Sequence, residues 1–71
     1  MDFSRQLLAL RRQRGLTQKQ LAANVGLSEL AIQNYESGRR KPAFDALIAL
    51  ADYFDVSLDY LVGRSDDPAR R

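Results

Sequence analysis

Five short helices in a single all-α domain are predicted, four of them from a recurring pattern of a capping Asp, Ser or Thr, apolar residues three and four apart, then a glycine that stops the run, and the other from its apolar stripe. No segment reads as a strand, and no Pro/Ser/Gly-rich or repeated segment interrupts the pattern. The chain has 71 residues, room for one small domain near the lower size at which packing alone holds a fold together.

The first helix, about 3–14, places Phe3, Leu7, Leu10 and Arg14 at helical spacing, with Asp2 as N-cap and Gly15 at its C-terminal end. Thr17 followed by Gln20 is a capping-box pattern and opens a second helix, in which Leu21, Ala22 and Val25 share a face before Gly26. Ser28 caps a third helix that turns Ala31, Ile32 and Tyr35 to one side and stops at Gly38, leaving Arg39, Arg40, Lys41 and Pro42 as a loop. A fourth helix, roughly 43–54, carries Phe44, Leu47, Ile48, Leu50, Ala51 and Phe54 as a broad apolar stripe, expected to be the main wall of the core. Asp45 in its first turn suits the helix dipole. Ser57 caps a last helix through about Val62, ended by Gly63. The domain is expected to span 1–64 and residues 65–71 to form a flexible tail, since the end of the chain has nothing to bury.

Cysteine and histidine are both absent, which removes disulfides, a thiolate nucleophile, a Cys/His zinc site and an imidazole base. The carboxylates of Asp45, Asp52, Asp55 and Asp59 fall on solvent faces, so no nucleophile and base come together, and neither an enzyme nor a cofactor is expected. The longest apolar cluster, 46–51 (ALIALA), falls far short of the roughly 20 residues of a membrane span. Residues 1–10 lack the basic-then-apolar pattern of a secretion leader, so no membrane partner is expected and the cytosol is the expected location.

The net charge of +2 conceals an asymmetry. Residues 1–42 hold eight Lys and Arg against three acids, whereas 43–71 hold three Arg against six acids. A basic half beside an acidic one suits a protein that meets a polyanion with one face, although a mixed solvated surface would give the same count.

The 25–27 connection is too short for its flanking helices to lie antiparallel, so the turn throws one across the other. Gly26 permits the positive φ such a turn needs, where a Cβ would cost roughly 1 kcal/mol or more. Counting Gln18 as first, Ala22 is fifth, Gly26 ninth and Ile32 fifteenth, which is the helix-turn-helix pattern. A plain corner between two helices would leave the polar face of the second one unexplained. That face is Ser28, Glu29, Leu30, Gln33 and Asn34. In a major groove Gln and Asn bond adenine N7 and N6, Glu accepts from cytosine N4, Ser bonds several edges, and Leu contacts a thymine methyl. Phosphates are expected at Gln18 and Lys19, beside the second helix's N-terminus, and at Arg39, Arg40 and Lys41.

With these motifs in place, the chain resembles the Cro and phage-repressor type of bacterial transcription regulator, the XRE family. The runs LRRQRGLTQKQLA (10–22), VGLS (25–28), IQNYESGRRKP (32–42) and LADYFDVSLDYLVGR (50–64) carry the likeness, which covers about 3–64. The resemblance implies a compact five-helix, lambda-repressor-like domain whose third helix reads the major groove, bound to operator half-sites as a homodimer on double-stranded DNA. It places base reading at Ser28, Glu29, Leu30, Gln33 and Asn34, backbone contacts at Gln18 and the loop after Gly38, and an internal ion pair at Arg11 and Glu36. Three positions depart from the pattern. Ala43 stands where a Ser or Thr cap is usual, at a cost of about 1 kcal/mol. Leu8 replaces a polar residue, as a contact surface or simply an exposed leucine, and Glu29 puts an acid among the readers. Exposed atoms of Tyr60, Leu61 and Val62 are the expected dimer surface unless the core takes them. The rival expectation is an antitoxin-type protein that binds a partner toxin and regulates its own synthesis through DNA.

Overall fold

The computed structural model describes residues 2–69; Met1 and the tail's Arg70 and Arg71 lie outside them. The order is α1 (Phe3–Gln13), α2 (Gln18–Val25), α3 (Glu29–Ser37), α4 (Phe44–Phe54) and α5 (Leu58–Leu61), with no strand among the described residues. No helix among them is long and apolar enough to cross a membrane.

The ends of the helices follow from local chemistry. Asp2 accepts from the Arg5 amide, Ser28 from Ala31 and Ser57 from Tyr60, each at 3.0 Å, so each of these helices begins with one orphan donor satisfied. Both halves of the capping box form at α2: Gln20 N donates to Thr17 Oγ1 at 3.0 Å and Thr17 N to Gln20 Oε1 at 2.9 Å. Gly26 closes α2 at φ 73°, a left-handed conformation that a glycine adopts without a Cβ penalty. The start of α4 differs, since Ala43 occupies the cap position and offers no side-chain acceptor.

Each helix sends one fully buried side chain to the core: Leu7, Leu21, Ile32, Leu50 and Leu61. At about 1.5–3 kcal/mol for burying each, these five are a large apolar contribution to the fold. Around them lie Leu10, Ala22, Tyr35, Ala46, Ala51, Phe54 and Val56. Polar links tie the layers together. Gln6, buried in α1, donates to the Tyr60 carbonyl at 3.2 Å. Arg14 donates to the Phe54 carbonyl at 3.1 Å and lies 5.7 Å and 5.4 Å from the Tyr53 and Phe54 ring centres, fastening the end of α1 to the end of α4.

The structure corrects three expectations. Phe44 does not join the core wall and is 69% exposed. The buried residues of α4 are Ala46, Leu50, Ala51 and Phe54; Phe44, seven residues before Ala51 and within about 20° of its angle, is the first residue of the helix and lies beyond the surface that covers the others. Leu61 is fully buried, so the core takes it and it is not available as dimer surface; Tyr60 and Val62 are half-buried. Leu8 is half-buried where an exposed leucine was expected. Beyond α5, the Ser57 amide donates to the Pro68 carbonyl at 3.0 Å.

Candidate nucleic-acid interface

The turn at Gly26 sets α3 against both α1 and α2, with Ile32 and Tyr35 as the side chains driven into the core. Tyr35 meets the Phe3 ring edge-on at 6.1 Å, which fixes the rotation of α3 about its axis. At about 100° per residue, the line directly opposite Ile32 and Tyr35 carries Leu30 and Ser37, flanked by Gln33 and Asn34. Glu29, Leu30 and Gln33 are exposed on this side, Leu30 at 63%, and Asn34 is half-buried. Ser28 sits at the helix N-terminus with its hydroxyl oxygen accepting from Ala31 N, which leaves the hydroxyl proton free to donate outward.

The basic loop is held to the same helix. Arg39 N and Arg40 N both donate to the Asn34 carbonyl, at 3.0 and 3.3 Å, so the backbone of the loop is an extension of the last turn of α3. Arg39, Arg40 and Lys41 are all exposed there, and Lys19 is exposed on α2. The exposed phenyl ring of Phe44 follows directly on this run.

Behind the surface lies a three-helix polar cluster. Arg11 of α1 grips Glu36 of α3 at two points, Nε to Oε2 at 2.6 Å and Nη2 to Oε1 at 2.9 Å, and its Nη1 donates to the Leu16 carbonyl at 2.8 Å. Gln18, the first residue of α2, donates from Nε2 to Glu36 Oε1 at 3.0 Å. The hydrogen bonds that Arg11 donates to Glu36 push its pKa above the ordinary value, against burial, which lowers it, and with the attraction of the carboxylate adding to the rise. Gln18 therefore has an internal partner that spacing alone does not reveal. Its amide nitrogen carries two hydrogens, and one remains for a ligand outside.

The structure thus gathers Ser28, Glu29, Leu30, Gln33 and part of Asn34 on one side of α3, with Arg39, Arg40 and Lys41 at its end, and places Arg11 and Glu36 beneath. Such an arrangement offers hydrogen-bond donors, acceptors and one apolar group to a groove-sized partner, with cations beside it for an anionic backbone.

Residues 7–61 match the helix-turn-helix family. The uncharacterized HTH-type transcriptional regulator YobD of Bacillus subtilis (strain 168) is 39% identical over 66 residues, covering 93% of this chain and 59% of that protein. The cryptic phage CTXphi transcriptional repressor RstR of Vibrio cholerae is 34% identical over 64 residues, covering 90% of this chain and 57% of that protein. The chain therefore spans somewhat over half the length of these relatives. Among solved structures, the P22 c2 repressor protein in complex with synthetic operator 9T superposes with a TM-score of 0.85 at 28% identity, covering 92% of this chain and 98% of that one. On the family match, the relatives and the shared five-helix architecture, the chain belongs to the helix-turn-helix family of Cro and phage-repressor type regulators.

Proposed function

We propose that the chain is the DNA-binding part of a cytoplasmic transcription regulator, a repressor, which lays α3 in the major groove of operator half-sites. The observation that carries this reading is the joining of two surfaces on one element: the exposed side of α3 with Glu29, Leu30 and Gln33, and the cationic loop 39–41 tied by backbone hydrogen bonds to its last turn. Base edges then meet Ser28, Glu29, Leu30, Gln33 and Asn34. Phosphates meet Lys19, Arg39, Arg40, Lys41 and the remaining N–H of Gln18. Arg11 and Glu36 hold the three helices in register behind these groups. No catalytic role is part of the proposal.

One copy makes few contacts, so two copies on half-sites about 34 Å apart supply useful affinity. With Leu61 in the core, Phe44 and Leu58 are, among the described residues, the exposed large apolar side chains outside α3 that remain for self-association. The antitoxin reading draws no support from the relatives, which are named as transcription regulators.

The test is selection of bound sequences from a random duplex pool, followed by binding to the selected site at several salt concentrations. Gln33→Ala relaxes preference at one base position. Arg40→Ala weakens binding to all sequences and flattens the salt slope by roughly one unit. Failure to enrich any sequence, with weak binding even at low salt, overturns the proposal.

A further inference from the structure

We infer that Glu29 and Leu30 act together as a reader of one chemical pair in the major groove, an exocyclic amino donor beside a pyrimidine methyl group, supplied by cytosine next to thymine or by 5-methylcytosine alone. The inference rests on the DNA-reading proposal above and specifies what two neighbouring positions of that face recognise.

Glu29 is exposed in the first turn of α3 with no cation at helical spacing: the residues three and four away are Val25, Gly26, Ile32 and Gln33. A carboxylate on a surface that approaches phosphates is repelled unless a donor meets it. Among base edges, cytosine N4 offers a donor with no acceptor from its own ring beside it, whereas adenine N6 lies next to N7, which repels an anion. The next residue, Leu30, is 63% exposed and points directly away from Ile32 and Tyr35. Within α3 its neighbours at helical spacing are Gln33 and Asn34, so it is a lone exposed large apolar side chain on that helix and its outward branch matches a single small apolar group. The groove offers one such group, the methyl at pyrimidine C5. Residues at the N-terminal end of a recognition helix are those that reach base edges. Successive bases on one strand lie about 3.4 Å apart, within the spread of two adjacent side chains, and N4 and C5 are neighbours on a single cytosine ring.

Cytosine methylation is then a signal the site can sense. An unmethylated cytosine satisfies Glu29 but leaves Leu30 without its methyl unless a thymine adjoins it.

The test uses the full chain on the selected duplex, with deoxyuridine replacing each thymine in turn and 5-methylcytosine replacing each cytosine in turn. Both bases keep their hydrogen-bonding edges, so only a methyl group is removed or added. Loss of one buried methyl is expected to weaken wild-type binding about fourfold at a single thymine, or gain of one to strengthen it by a similar factor at a single cytosine. Leu30→Ala abolishes that response. Glu29→Gln relaxes the preference at the adjacent cytosine by about fivefold or more while leaving the methyl response in place. Both substitutions fall at exposed helical positions, and unchanged circular dichroism melts establish that the fold is retained.

If every replacement changes wild-type affinity by less than about twofold while the protein still selects a defined site, the paired reader is refuted and the DNA-reading proposal stands. A selected half-site without cytosine at the contacted step refutes it equally. If no sequence is selected, it is the DNA-reading proposal that fails.

Discussion

Replacing Glu36 by Ala tests how α3 is held. The Glu36 side chain is 6% exposed and that of Arg11 13%, so both charges lie largely out of water. The carboxylate accepts from Arg11 Nε, Arg11 Nη2 and Gln18 Nε2, at 2.6, 2.9 and 3.0 Å. Without it, Arg11 keeps its bond to the Leu16 carbonyl but loses its counter-charge, and Gln18 loses its internal acceptor. Breaking one side of a buried pair costs about 3–5 kcal/mol. At about 0.05–0.15 kcal/mol per residue, a chain of this length has roughly 4–11 kcal/mol of stability in total. The variant is therefore expected to lose roughly a quarter or more of it. Urea unfolding followed by circular dichroism reads the loss directly: with a slope near 1 kcal/mol per M, the midpoint falls by about 3 M or the variant is unfolded in buffer. The Arg11→Met/Glu36→Leu double variant removes both charges and recovers at least about 1 kcal/mol relative to Glu36→Ala. A raised Arg11 pKa means its share of the stabilisation is complete below the unfolded value and disappears only as pH climbs through the higher folded one. That share is accordingly constant between about pH 6 and pH 9. A Glu36→Ala cost below about 1 kcal/mol, or a double variant equal to the sum of the singles, would refute the reasoning.

Two further changes probe the helix ends. Ala43→Ser supplies α4 with the side-chain acceptor it lacks and is expected to stabilise the domain by about 1 kcal/mol, a rise in Tm of roughly 4–8 °C by calorimetry; no rise would mean that the start of α4 is already satisfied. At Gly26 an added Cβ meets no atom within 4 Å, so the cost of substitution is that of the backbone at φ 73° alone. Gly26→Ala is expected to lose about 1–2 kcal/mol in urea melts and Gly26→Asn distinctly less, because Asn visits the left-handed region more readily; equal losses would contradict this account.

The helix boundaries were legible because the signals that set them are local. A cap donor or acceptor lies within three residues of its partner, as Thr17 and Gln20 do, and a glycine ends a run on its own. The exposure of Leu30 and Gln33 followed from periodicity in the same way. Features that depend on where a helix is cut off by its neighbours were not legible. Phe44 has the right spacing for the apolar stripe of α4 and still lies outside, because periodicity gives the angle about the axis and not the extent of the surface that covers it. Leu61 and Leu8 reflect the same ambiguity in the other direction, half-buried or fully buried where the sequence left them open to solvent. The bond between Gln18 and Glu36 joins residues 18 positions apart on different helices, and nothing in the spacing of a glutamine announces such a partner. The bond from the Ser57 amide to Pro68 depends on a backbone carbonyl, which carries no sequence signature at all.

The convergence of one fully buried side chain from every helix, Leu7, Leu21, Ile32, Leu50 and Leu61, has a consequence for motion. The five belong to one continuous core cluster, so a helix that swings out opens a void against the helices it packs on and carries a part of the cost of complete unfolding. Amide exchange at the centres of α1 to α4 should then be slow, and α5, at four residues too short to persist alone, owes its existence to its packing on α1 and α4. The exposed side of α3 is thus presented on a backbone already ordered, and little backbone entropy remains to be lost if a partner engages it.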